Sequence, residues 1–460
     1  MIANIINIIV VGATNFILPK FTSIEIYAAI KEYTLYNVTY ANILTAGYIH
    51  GVYLKYGGKA IDHNNRVQVG EDYFTFVVFQ LIVSSGVFGI GIVSDSVVIK
   101  VLGIGLFATN LSSYYQYLYQ AVGDFKSYGI ALNAARIVSL VFYIILIFLF
   151  KTESVVLYLA VPISTEMIIA FFLTARLNRK HRFINSVRIN VQNCWANVRG
   201  GFVLMLGSFV SRFFTTIDRW FVNALMPTLY FASYSFAVSL ENLVNSFMTP
   251  LSVSLYNYFC KEYVPAKVRV LKDAISIYAC VIVSSAFAAK WILEHFMEQY
   301  LNSVAVIFPL FAAQAIGTVV KAIYVNKYKA SGQQKKYLSQ IVLMVCTSVA
   351  LNAILYYVLR SMFAIAMATL ITNLIWLLLC EIDAPELRYC GKSIVALSLL
   401  MCIYLYAGFN LNAIWGFVVY VMSVLAICLL FMRKSTILLV NKGVAYIQQK
   451  LPKGKISANM

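Results

Sequence analysis

Long apolar runs constrain this chain more than any other feature. Stretches of about 20 residues, each long enough to cross a bilayer, follow one another with short polar breaks. Hydrophobic residues make up 61% of the chain and charged residues 12%, against roughly 25% charged in a soluble domain. Inside lipid every backbone polar group must be satisfied within the protein, which leaves helices or closed barrels. Barrel strands would alternate over segments of about ten residues. These runs are continuous, so the expected class is an all-α polytopic membrane protein.

About fourteen spans are expected at that length, near 1–18, 34–54, 73–93, 97–121, 127–150, 154–175, 200–222, 229–258, 268–290, 301–327, 337–359, 362–380, 392–408 and 412–432. The decapeptide Tyr119–Tyr128 returns as Tyr328–Tyr337, with Tyr, Ala, Gly, Lys and Tyr in register. The copies follow the fourth and tenth spans. Six spans separate them, so both face one side, as parallel halves with a binding site between them would require. The expected organisation is 1–178 and 199–382 as two six-helix halves, 391–432 as an added pair, and 433–460 as a basic cytoplasmic tail. Gly123 and Gly332 are expected to turn the chain, and Lys126 and Lys335 to reach lipid phosphates rather than substrate.

Basic residues set the orientation. Placing both termini in the cytoplasm leaves only Lys20, Lys31, Lys100, Lys151, Lys290 and Arg360 of the 36 Lys and Arg on the outer side or its loops, apart from those inside spans. The net charge of +18 then reflects sorting and contact with anionic lipid heads, not nucleic acid. Residues 1–18 lack a basic start and a small-residue cleavage site, so they read as a span and not a signal peptide. The eight Cys form no CxxC pair; free thiols and no metal site are expected. No Walker A sequence occurs, no cofactor is implied, and no nucleophile–base constellation points to an enzyme.

Polar residues inside the spans carry the functional argument, because they are costly in lipid and face a protein interior or a wet cavity. The cations are Arg212, Lys321, Arg136 and Arg219, with His50 near an inner end. The acids Glu166, Glu241 and Asp218 are candidates for ion coupling. Asp218 and Arg219 are neighbours near a membrane face, where local pairing competes with a ligand role, and Glu241 is a candidate partner for Arg212. Asn37, Asn110, Tyr114, Gln116 and Tyr234 are candidate cavity-lining groups, since amides, hydroxyls and aromatic faces suit sugars; helix packing and interface anchoring compete for such residues. Arginine holds phosphate oxygens bidentately and lysine as a point charge.

Short motifs add a resemblance. Leu18-Pro-Lys20 with Glu25-Ile-Tyr27, Gly123-Asp-Phe-Lys-Ser-Tyr128, Ile217-Asp-Arg-Trp-Phe-Val222 and Ala232-Ser-Tyr-Ser-Phe-Ala237 occur in the order seen in Wzx-type polysaccharide flippases of the multidrug/oligosaccharidyl-lipid/polysaccharide exporter superfamily, which the chain resembles along its whole length. The opening motif lacks the family's Gly. The resemblance implies translocation of undecaprenyl-diphosphate-linked oligosaccharide to the outer leaflet of a bacterial inner membrane, in lipopolysaccharide O-antigen biosynthesis, by alternating access through a hydrophilic cavity between two rocking halves. It implies a groove for the lipid tail at the last two spans, Arg212 and Lys321 with Arg136 on the diphosphate, and export or polymerase machinery as partners of a monomer. A lipid II-type flippase, whose first span usually carries Arg, and a drug/cation antiporter of the superfamily, with an acid in its first helix, are the alternatives.

Overall fold

The computed structural model describes residues 2–62, 65–182, 188–261, 263–433 and 435–437; residues 438–460 of the expected basic tail lie outside them. Among the described residues there is no strand. Ten helical segments among the described residues are long and apolar enough to cross a bilayer, and one bent pair, taken as a single span, makes an eleventh. The chain is a multi-pass membrane protein. The other expected spans also fall on helices.

The chain divides into two compact units. Unit 1 covers Met1–Ser239 and Gln340–Ala353. It holds α1 (Ile2–Phe21), α2 (Ile24–Ile43), α3 (Tyr48–Tyr56), α4 (Arg66–Val93), α5 (Val97–Ala121), α6 (Phe125–Ile144), α7 (Val155–His181), α8 (Val191–Phe214), α9 (Ile217–Leu225) and the start of α10 (Thr228–Lys261). Unit 2 covers Leu240–Ser339 and Ile354–Met460. It holds the rest of α10, α11 (Pro265–Val283), α12 (Ser285–Phe296), α13 (Val304–Val319), α14 (Asn326–Ala330), α16 (Met362–Asp383), α17 (Gly391–Asn410) and α18 (Ala413–Phe431), while α15 (Gln334–Leu359) is shared. Compactness and internal repetition are different divisions, and the six-helix halves concern the second.

Side-chain caps explain several helix starts. Ser23 accepts from the Ile26 N–H, Ser96 from Ile99, Asn190 from Asn193 and Asn412 from Trp415. Where the sequence suggests one span at 34–54, the structure has two helices with a break between them. The helix begins ten residues earlier than the hydropathy does, because its first turns carry Glu25, Lys31 and Glu32. It breaks where Ala46 (φ 49) and Gly47 (φ 87) turn left-handed. The backbones of α3 and α8 then touch: a Cβ on Gly51 would lie 2.0 Å from the Asn197 carbonyl oxygen, and one on Gly201 2.1 Å from that of Gly47. Small residues permit such approach in membranes. The second break, between α8 and α9, bends the chain by 58°.

The repeated decapeptide builds the same turn in each unit. Asp124 N–H bonds to Tyr119 O at 2.9 Å, and Gln333 N–H to Tyr328 O at 2.8 Å. Gly123 (φ 81) and Gly332 (φ 71) occupy the left-handed position, as helix-ending glycines do. Each first tyrosine reaches a following helix of its own unit: Tyr119 OH donates to Leu173 O of α7 at 3.4 Å, and Tyr328 OH to Asp383 Oδ2 of α16 at 2.7 Å.

Candidate functional site

Arg212, in the last turn of α8, is exposed. It acts electrostatically on His50 of α3 and Tyr117 of α5. His50 is buried; its Nε2 lies 3.3 Å from Ser208 Oγ and 3.3 Å from Tyr117 OH, and its ring is 4.7 Å from that of Tyr117. His50 Nδ1 is buried and has no hydrogen-bond partner among the described residues. Three helices of unit 1 thus gather a guanidinium, an imidazole and two hydroxyls. Such a set can hold anionic oxygens by charge-assisted hydrogen bonds.

The other intramembrane charges have acid or local neighbours. In unit 1, Arg136 interacts with Glu166 and Tyr128, and Ser112 hydrogen-bonds Glu166. Asp218 Oδ2 accepts from Tyr234 OH at 2.9 Å and Oδ1 from the Arg219 N–H at 2.8 Å, while the Arg219 guanidinium donates to Thr215 O at 3.4 Å. In unit 2, Lys321 lies in a π-helical stretch, Val320–Val325, that continues α13, and Glu241, considered above for Arg212, acts on it. Such wide turns recur at functional sites.

The neutral candidates bond mostly within the protein. Asn37 donates to Thr109 at 3.1 Å and Asn110 to Gln80 at 2.7 Å. Tyr114 is wholly buried, stacked on Phe76 at 5.0 Å. Gln116, two residues on, is half-buried.

Two buried ion pairs went unforeseen. Asp72 accepts from Lys55 at 2.7 Å, Tyr56 OH at 2.7 Å and Asn197 Nδ2 at 3.2 Å, joining α3, α4 and α8. Lys272 donates to Tyr324 OH at 3.1 Å, to Glu381 Oε1 at 2.5 Å and to Leu387 O, and sits 3.4 Å above the Tyr389 ring. Nothing in the sequence links either lysine to its carboxylate, 17 residues away for Lys55 and 109 for Lys272. Among the described residues no three His, Cys, Asp or Glu side chains gather as metal ligands would.

Unit 2 also holds a cavity of about 440 Å³ between α11, α13, α16, α17 and α18. Its walls are almost entirely apolar, with Leu397, Met401 and Tyr404 from α17 and Tyr420 from α18, and Glu381 and Tyr389 contribute its polar edge.

The chain matches no family model, and no curated protein matches it in sequence. Solved structures do match. Lipid II flippase MurJ in an inward closed conformation superposes with TM-score 0.64 at 12% identity, covering 94% of this chain and 97% of that one. The chain has the fold of these transporters. An inward-facing multidrug resistance MATE family transporter of the MOP superfamily gives 0.54 at 12% identity, over 86% and 96%. A MATE protein in complex with MaL6 gives 0.53 at 13%, over 87% and 95%. The likeness in fold to these structures extends over 86% to 94% of the chain.

Proposed function

We propose that this protein is a flippase that moves an undecaprenyl-diphosphate-linked oligosaccharide to the outer leaflet of a bacterial inner membrane by alternating access, with both termini cytoplasmic. The observation that carries the reading is the apolar cavity, to which the added pair α17–α18 contributes. A cavity of about 440 Å³ with such walls suits part of a hydrocarbon chain and offers little to a cationic drug. The cluster of Arg212, His50, Tyr117 and Ser208 supplies what a diphosphate needs, with Lys321 and Arg136 as further cations. Glu166 is the candidate for ion coupling, with Glu241 and Asp218 behind it. Membrane lipids and glycan-export proteins are the expected partners of a monomer.

The MurJ likeness favours a second reading, a lipid II-type flippase. Against it, α1 contains no Arg; its only basic residue is Lys20. Proteoliposomes containing fluorescent undecaprenyl-diphosphate oligosaccharide, or lipid II, separate the two. Movement of the oligosaccharide lipid alone supports the proposal, and movement of lipid II alone replaces it. Leu397→Trp, which fills the cavity, should reduce oligosaccharide-lipid transport at least tenfold; unchanged transport removes the tail assignment.

A further inference from the structure

Glu32, Tyr36 and Tyr40 recur every fourth residue of α2 and so share one helix face. Against that face lies α9 with Trp220 and Asn223. The Tyr36 ring stacks on Trp220 at 5.1 Å and 18°, and Tyr40 meets Trp220 edge-on at 5.6 Å. The Trp220 N–H donates to Thr39 Oγ1 at 3.1 Å, which fixes the indole. Tyr36 OH donates to Glu32 Oε1 at 2.7 Å and accepts from Asn223 Nδ2 at 3.2 Å.

This face is polar along its length. Glu32 makes no ion pair among the described residues. Its carboxylate accepts from Tyr36 OH and keeps further acceptor positions that a polar ligand can use. The helix α2 is also not among those apolar enough to cross a membrane. Interfacial anchoring explains single Tyr and Trp residues, but not an indole bonded inward and an acid–hydroxyl–amide chain along the same edge. Tyr40 remains 40% exposed, so its ring is available to a ligand.

We propose that Glu32, Tyr36, Tyr40, Trp220 and Asn223 form a carbohydrate-binding face for a pyranose ring of the cargo. The aromatic rings pack on the sugar's C–H surface. The Glu32 carboxylate accepts from ring hydroxyls or an acetamido N–H, and the Asn223 amide donates or accepts at the rim. This rests on the flippase reading above. It adds to it a sugar site in unit 1, apart from the cations assigned to diphosphate.

The test uses the full protein in nanodiscs with two probes: undecaprenyl diphosphate, and the undecaprenyl-diphosphate oligosaccharide extracted from the source cells. Wild type should bind the sugar-bearing lipid more tightly than the bare one. Trp220→Leu, Tyr40→Leu and Glu32→Gln should each reduce that advantage, Trp220→Leu by about tenfold, the loss expected of a central aromatic anchor. Affinity for the bare lipid should not change, and Trp220→Phe should retain most of the advantage. An advantage undiminished in Tyr40→Leu and Glu32→Gln overturns the sugar site while leaving the flippase reading intact, even where Trp220→Leu fails to fold. Wild type that binds neither lipid overturns both.

Discussion

Lys272 and Glu381 form an ion pair, Nζ to Oε1 at 2.5 Å, in which the lysine side chain is wholly buried. Tyr324 OH, the Leu387 carbonyl and the Tyr389 ring surround the same ammonium. The glutamate also accepts from the Tyr389 N–H at 3.0 Å. The pair thus ties α11, the end of the α13 span, α16 and the loop before α17 together beside the apolar cavity. Removing one partner of such a pair strands a buried charge, at a cost of about 3–5 kcal/mol, whereas replacing both with apolar groups is often neutral. Lys272→Met should therefore lower the melting temperature in detergent sharply, and Lys272→Met with Glu381→Leu should recover most of the loss. A double variant no better than the single one refutes this account.

Gly51 and Gly201 hold α3 against α8 by leaving no side chain between them. Gly201→Ala places a methyl 2.1 Å from the Gly47 carbonyl oxygen, which backbone must move to relieve. Overpacking of this kind costs roughly 1–3 kcal/mol. The expected result is a lower melting temperature than for Gly200→Ala next to it, where a Cβ meets nothing within 4 Å. Equal effects would show that the close approach is not a constraint.

Asp124 lies outside the spans and caps α6. The hydrogen bond from the Ser127 hydroxyl, together with the Ser127 N–H and nearby Arg176 and Lys180, holds its carboxyl below the usual 3.8. A carboxyl depressed on folding stabilises the protein above its unfolded pKa, and that contribution disappears as pH falls through the lower folded value. Asp124→Asn should thus lower stability slightly near neutral pH, by less than about 1 kcal/mol at this solvated position. The gap to wild type should close as pH falls below about 4. Melting curves at several pH values check this, and a gap that widens on acidification has the wrong sign.

Arg212→Ala combined with Lys321→Ala should abolish surface-glycan export while the protein still accumulates in the membrane. Complementation of a deletion strain, with immunoblotting of membranes, measures both. Normal export by the double variant removes the diphosphate role proposed for each of these cations.

Glu166 interacts with Ser112 and Arg136 in unit 1. If it carries the coupling proton, Glu166→Gln should flatten the pH dependence of transport in vesicles without lowering the amount of folded protein. A profile parallel to wild type excludes that role.

Much of this protein was legible in order along the chain. Hydropathy located the spans, and the decapeptide copies marked two equivalent turns, now seen as the same backbone bonds at Tyr119–Asp124 and Tyr328–Gln333. Both are properties of consecutive residues, so a linear reading reaches them. The same reading began its second span at 34, because Glu25, Lys31 and Glu32 depress hydropathy in the first turns of α2; the helix forms there regardless, capped by Ser23. What only the tertiary structure decided is which polar groups meet. Lys55 finds Asp72, Tyr36 stacks on Trp220, Glu166 lies with Arg136, and Lys321 lies with Glu241. Such meetings depend on the rotation of each helix about its axis and on where small residues let backbones approach. Chain order carries neither quantity. Lipid makes each polar residue costly wherever it stands, so its presence announces a partner, and packing alone determines which one.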